Sequence, residues 1–132
     1  MEPMIKTWYE NLKDGKLFGT KCKKCGAVEF PPVPACSSCG NLDVEPVEIS
    51  GKGELLSFSF SPMGIPPYHM RPVIVGFTRL HEGPMFCSEI LNVSPAEQED
   101  LFKRLQEGPV EVTYEAAPMN DEISYPKIRV CK

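Results

Sequence analysis

Cysteine is the residue type in this 132-residue chain best suited to chemistry, and four of its six cysteines fall in two matching knuckles. Cys22-Lys23-Lys24-Cys25-Gly26 is followed, after an interval of ten residues between the pairs, by Cys36-Ser37-Ser38-Cys39-Gly40. A CxxC bend sets two thiolates about one ligand–ligand distance apart, and the glycine that follows permits positive φ, so that backbone amides can turn towards the sulfurs. Two such bends facing each other make a tetrahedral four-cysteine cage, the zinc-ribbon spacing. Four thiolates fill every zinc position and leave none for water or substrate, so the expected role of Zn2+ is structural. The same four sulfurs also suit iron in a rubredoxin-like site, or a redox dithiol pair.

The remaining reactive side chains form no obvious catalytic set. His69 and His81 are the two histidines, both in turn-like sequence and neither near a knuckle. Cys87 lies in an apolar strand pattern and reads as a small buried hydrophobe, and Cys131 is one residue from the end. No nucleophile–base–orienter arrangement and no glycine-rich phosphate cradle is visible, so the chain is not expected to be catalytic alone. The proline-rich segment Pro62–Pro72 is long for a hairpin loop, and long loops often carry function. Within it Tyr68 offers apolar contact and Arg71 a cation for a phosphate or a partner carboxylate. Lys23 and Lys24 belong to a basic run, Lys13 to Lys24, that reads either as a solvated face or as a contact for an acidic group.

The elements that must position these residues follow from periodicity. Ile5, Trp8, Tyr9 and Leu12 recur at helical spacing, which predicts an amphipathic helix over 3–14 with Gly15 ending it. Trp8 and Tyr9 then either cover the rest of the fold or anchor a partner. Short strands near Val28–Phe30 and Val44–Ile49 would bring the knuckles together, with Leu17, Phe18 and Leu42 as a small core. After the boundary Ser50-Gly51-Lys52-Gly53 come strands Glu54–Ser61, Val73–Leu80, Met85–Leu91, Val110–Ala116 and Tyr125–Val130. Val73–Leu80 reads as buried on both faces, and Phe58, Phe60, Phe77 and Phe86 read as core. A helix capped by Ser94, Pro95 and Glu97, with Leu101, Phe102 and Leu105 inward and Gly108 closing it, lies between the third and fourth strands. The order β-β-β-α-β-β is that of a five-stranded Greek-key OB barrel. The expected organisation is an N-terminal helix over 1–16, a rubredoxin-like zinc ribbon over 17–50 and an OB-fold domain over 51–132. The whole is mainly β.

A ribbon of roughly 30 residues cannot bury enough apolar surface to fold alone, so metal must supply folding free energy. The net charge of −4 argues against nucleic acid, because phosphate neutralisation dominates such binding. Absence of a signal peptide or a spanning apolar run, with paired thiols suited to a reducing compartment, points to the cytoplasm.

Several of these features occur together in one known family. Cys-x-x-Cys-Gly, Phe30-Pro31-Pro32, the second Cys-x-x-Cys-Gly and Ser50-Gly51-Lys52-Gly53 resemble the zinc-ribbon/OB-fold family of acyl-CoA-associated proteins, long filed as a domain of unknown function. So does Pro72-Val73-Ile74-Val75 with Leu80-His81-Glu82-Gly83-Pro84. The likeness covers nearly the whole chain; Val33 stands where many members have Arg. The resemblance implies a small accessory subunit in a hetero-oligomer with a thiolase-fold or related acyl-CoA enzyme. Such a subunit would brace the catalytic chain and help form the channel for a coenzyme A thioester at the interface. Anaerobic aromatic-compound degradation is one setting that fits. Trp8, Tyr9, Lys23, Lys24, Tyr68 and Arg71 are the residues expected to touch the partner or coenzyme A. The alternatives are a nucleic-acid-binding module and, behind it, a rubredoxin-like electron carrier.

Overall fold

The computed structural model of the chain describes residues 3–62, 71–119 and 123–131. Helix α1 (Pro3–Lys13) comes first and buries Trp8 and Leu12, one turn apart on one face. Its end satisfies the orphan carbonyls in a Schellman pattern. The Lys16 amide donates to the Asn11 carbonyl at 2.8 Å and the Gly15 amide to the Leu12 carbonyl at 3.0 Å. Gly15 sits at φ 76°, where a side chain would be strained.

The ribbon is a three-stranded antiparallel sheet of β1 (Phe18–Cys22), β2 (Val28–Glu29) and β3 (Val44–Glu48), in the order β2-β1-β3. Its central strand, β1, is the one that periodicity does not reveal. Phe-Gly-Thr-Lys-Cys has no clean alternation, and Gly19 is required by close approach: a Cβ there would lie 2.2 Å from the Glu29 carbonyl oxygen. Leu17 is buried as expected, but Leu42 is 79% exposed, beyond the second knuckle and outside the small core assigned to it.

The second sheet contains β4 (Lys52–Ser61), β5 (Val73–Leu80), β6 (Met85–Glu89), β7 (Val110–Pro118) and β8 (Ser124–Val130), ordered β6-β5-β4-β7-β8. It curls until β8 meets the end of β6. The Leu91 amide donates to the Ile128 carbonyl at 2.8 Å and the Ser88 hydroxyl to the Pro126 carbonyl at 2.6 Å. Asn92 clamps Val130 both ways at 2.9 Å, its carboxamide standing in for a ladder partner. A 3-10 turn (Pro95–Glu97) leads into α2 (Gln98–Glu107), between the third and fourth barrel strands, which is the OB-fold arrangement. The Ser94 amide donates to the Glu97 carboxylate at 3.0 Å, the return arm of a capping box.

Inside the barrel, a buried polar chain is fully paired. The Tyr114 hydroxyl donates to Thr78 at 2.6 Å, and Thr78 donates to the Phe86 carbonyl at 2.7 Å. Gly53 leaves room for it, since a Cβ there would come within 2.7 Å of the Tyr114 hydroxyl.

Several burial expectations are corrected. β5 is buried on both faces only at Val73 and Ile74; Phe77 and Arg79 then point outward. Phe77 and Phe60 are exposed, Phe58 packs on the core from its edge, and Phe86 is fully inside. Cys87 is exposed, because it falls on the outer register of β6 opposite Phe77. On α2, Leu101 is buried and Phe102 is 55% exposed, since only one turn of the narrow helix face reaches the barrel. Gly108 ends that helix with φ 165°, extended backbone that any residue adopts.

One apolar core runs through helix, ribbon and barrel. Trp8, Leu12, Leu17 and Phe30 belong to the same cluster as Leu55, Phe86 and Ile128.

Candidate metal centre

The four knuckle sulfurs converge, all within 4.8 Å of one another. Cys22 Sγ lies 3.7 Å from Cys39 Sγ, and Cys25 Sγ 3.5 Å from Cys36 Sγ. A tetrahedral zinc with Zn–S near 2.3 Å spaces its sulfurs about 3.8 Å apart, so the set fits the ion. The two knuckles repeat one backbone geometry. Cys22 N–H donates to the Ala27 carbonyl and Cys36 N–H to the Asn41 carbonyl, both at 2.9 Å. Gly26 N–H returns to the Cys22 carbonyl at 3.0 Å and Gly40 N–H to the Cys36 carbonyl at 2.9 Å, with φ of 77° and 75° at the two glycines. The glycines are therefore needed for the bend itself.

The sulfurs are prepared for a cation. The Cys25 amide, 3.4 Å from Cys22 Sγ, outweighs desolvation and holds the Cys22 thiol down to about 6, with help from Asn41. The Cys39 amide likewise lowers Cys36. Cys39 moves the other way, up to about 12: the Asn41 amide favours its thiolate, but desolvation and the Cys22 and Cys36 sulfurs outweigh it. Four crowded thiols cannot all ionise by themselves, and a dication removes that penalty. The ligand donor set is closed, so the metal would be held by Cys22, Cys25, Cys36 and Cys39 and would brace β1 against the second knuckle.

The other expected site residues do not gather there. Trp8 is 8% exposed and belongs to the core, where its ring meets those of Tyr9, Phe30 and Tyr125. Its indole N–H has no acceptor among the described residues. Tyr9 is half-buried. Lys23 pairs with Asp43 at 3.4 Å, and Lys21 stands opposite Glu45 on β3, so the basic run is partly answered by acidic neighbours that sequence order hides. Lys24 is exposed. Tyr68 and His69 lie outside the described residues. His81 is exposed, 3.2 Å from Glu111. Arg71 is committed to Glu89, with its two guanidinium nitrogens 2.7 and 3.1 Å from the two carboxylate oxygens.

Two features escaped the sequence reading. Glu89, 5% exposed on β6, also takes Lys127 of β8 at 3.3 Å. Burial pushes the Glu89 carboxyl up, but Arg71 and Lys127 outweigh it and hold the group below its ordinary value. A Glu and a Lys in two strands far apart in sequence carry no local signal that they will be buried together. The second feature is an apolar groove of about 230 Å3 where α1 crosses the ribbon, walled by Met4, Thr7, Trp8, Phe18, Val44 and Pro46 among others. No helix among the described residues is long and apolar enough to cross a membrane.

Comparison with known proteins agrees with this geometry. The ChsH2 rubredoxin-like zinc ribbon domain matches residues 10–45. A probable enoyl-CoA hydratase alpha subunit of Thermomonospora curvata is 28% identical over 88 residues, covering 67% of this chain and 28% of its own length. A DUF35 domain-containing scaffold protein of Pyrococcus furiosus is 30% identical over 93 residues, 68% of this chain and 66% of that protein. The benzoylsuccinyl-CoA thiolase subunit BbsA of Thauera aromatica is 44% identical over 48 residues, 36% of this chain and 33% of that subunit. The chain thus spans less than two thirds of the length of these curated relatives. The fold is shared with the solved Ltp2-ChsH2(DUF35) aldolase, with a TM-score of 0.76 over 98% of this chain and 96% of that one, at 23% identity. With its knuckles in the matched ribbon and its barrel in the matched fold, the chain belongs to the DUF35 zinc-ribbon family.

Proposed function

We propose that this chain is a non-catalytic accessory subunit of an acyl-CoA-processing enzyme of thiolase type. It would stabilise the catalytic subunit and help form the entrance for the coenzyme A arm. The observation that carries the reading is the closed four-cysteine cage in a chain whose other described thiols and imidazole stand apart. A closed site has no reactive metal position, and among the described residues Cys87, Cys131 and His81 form no cluster with one another, which supports assigning the chemistry to a second chain. Relatives named as subunits of a thiolase and a hydratase support the choice of partner class. The helix–ribbon groove is the docking surface of choice, because it is apolar and is built jointly by two elements. Tyr9, Lys23 and Lys24 border these elements and remain the proposed partner or coenzyme A contacts. A cytoplasmic place and a step of anaerobic aromatic-compound degradation complete the reading.

Purification of the chain from its native host under gentle conditions tests it. A thiolase-fold subunit is expected to co-elute in stoichiometric amount, with activity lost on separation and regained on mixing. Val44→Arg, which places a charge in the groove, should abolish co-elution while zinc content stays unchanged. A chain that elutes alone in colourless zinc form with no partner contradicts the proposal. A visible thiolate-to-iron absorption band would support the electron carrier instead.

A further inference from the structure

The connection between the knuckles does more than link ligands. Phe30 lies five residues after Cys25 and six before Cys36, yet it is only 4% exposed and reaches out of the ribbon into the mouth of the barrel. Its ring stands 5.0 Å from Phe86 of β6 and 6.4 Å from Trp8 of α1, edge-on to both. Phe86 stacks on Tyr125 of β8 at 6.1 Å, and Tyr125 returns to Trp8 at 5.8 Å. Four rings from helix, ribbon and two barrel strands therefore close a cycle, and Phe30 is its ribbon member. Edge-on and offset-stacked pairs of this kind are attractive beyond the area they bury, because the positive edge of one ring meets the negative face of another.

Apart from its ring contacts, few bonds hold the segment around Phe30 in place. β2 contributes two residue pairs to β1, and the Val33 amide reaches the Thr20 hydroxyl at 3.3 Å. Glu29, just before Phe30, accepts from the Ser37 hydroxyl of the second knuckle, and the cysteines flank the segment on either side. A segment so placed keeps its position only while both knuckles are tied together. Trp8 is poised to respond. Its buried indole N–H has no acceptor among the described residues, so loosening of the packing around it would give it a water partner.

We propose that Phe30 is a wedge by which the barrel and α1 read the metal occupancy of the ribbon. With the cage filled, Phe30 completes the ring cycle and holds Trp8 against the barrel. With the cage empty, Phe30 withdraws, the indole N–H gains water, and α1 loosens from β8. Because Trp8 and α1 wall the helix–ribbon groove, that surface would exist only in the metal-loaded chain. The inference concerns this chain alone and stands whether or not the proposed partner is correct.

The test uses the full zinc-loaded chain, whose single tryptophan is Trp8. Chelation should red-shift tryptophan emission and speed amide exchange in α1, β6 and β8, while β4 and β5 keep their protection. Exchange confined to β1–β3 with emission unchanged would overturn the proposal, because the ribbon would then open without the barrel noticing. Equal loss of protection in every strand would also overturn it, since the metal would then support the whole fold rather than one contact. Phe30→Leu separates wedge from ligand set: zinc stoichiometry should be retained, emission should be red-shifted already in the loaded form, and chelation should shift it no further. A full emission response in zinc-loaded Phe30→Leu would show that the signal travels by another route.

Discussion

At the scale of single residues, the buried charges among the described residues answer each other. Glu89 is the clearest case, a buried carboxylate between a half-exposed guanidinium and a buried ammonium. Removing it leaves Lys127 buried without its counter-charge, and Glu89→Gln should cost about 3 kcal/mol. The pH dependence follows from the lowered carboxyl. A carboxyl held below its unfolded value lends stability that is complete above that value, about 4.3, and is lost as pH falls through the folded one. Urea titrations from pH 7 to pH 2 should show the wild-type advantage over Glu89→Gln shrinking only on the acid side. An advantage that instead grows below pH 4 would mean that Glu89 is not held ionised. None of this was legible in the sequence, because pairing of residues 71, 89 and 127 depends on barrel closure. The cysteine ligands were legible, because both knuckles are local bends whose spacing and glycines carry the geometry with them.

At the scale of elements, burial depends on how much of each element touches the barrel. Helix α2 has a periodic apolar stripe, yet it buries Leu101 and leaves Phe102 in an open groove beside Phe58. Leu101→Ala should therefore destabilise by about 2–5 kcal/mol, by lost transfer energy and a cavity. Phe102→Ala should stay within about 1 kcal/mol. Denaturant midpoints at constant m-value distinguish the two, and equal losses would mean that α2 packs with both faces. Strand β5 gives the same lesson in another form. Its apolar run suggested two buried faces, but α2 and the ribbon do not cover the outer side of the barrel at Phe77.

At the scale of the whole molecule, ribbon, helix and barrel share one core. Trp8, Leu12 and Phe30 pack with Phe86 and Ile128, so the boundaries at 16 and 50 divide the sequence without dividing the packed interior. With zinc kept saturating, thermal unfolding should be one transition in which tryptophan emission and far-ultraviolet circular dichroism coincide. Two separated transitions would mean that ribbon and barrel are energetically independent.

The sequence by itself determined what is local: the two knuckles and their metal, the ends of α1, the capping box before α2, and the strand order that makes an OB barrel. These are set by spacing and by backbone preferences within a few residues. Only the tertiary structure decided that Trp8 is core rather than an exposed anchor, that Arg71 is bound to Glu89, and that Cys87 faces outward. It also made β1 the centre of its sheet and placed Phe30 among barrel rings. Those outcomes depend on which surfaces meet after the chain closes, and no periodicity within one segment encodes the neighbour that will cover it.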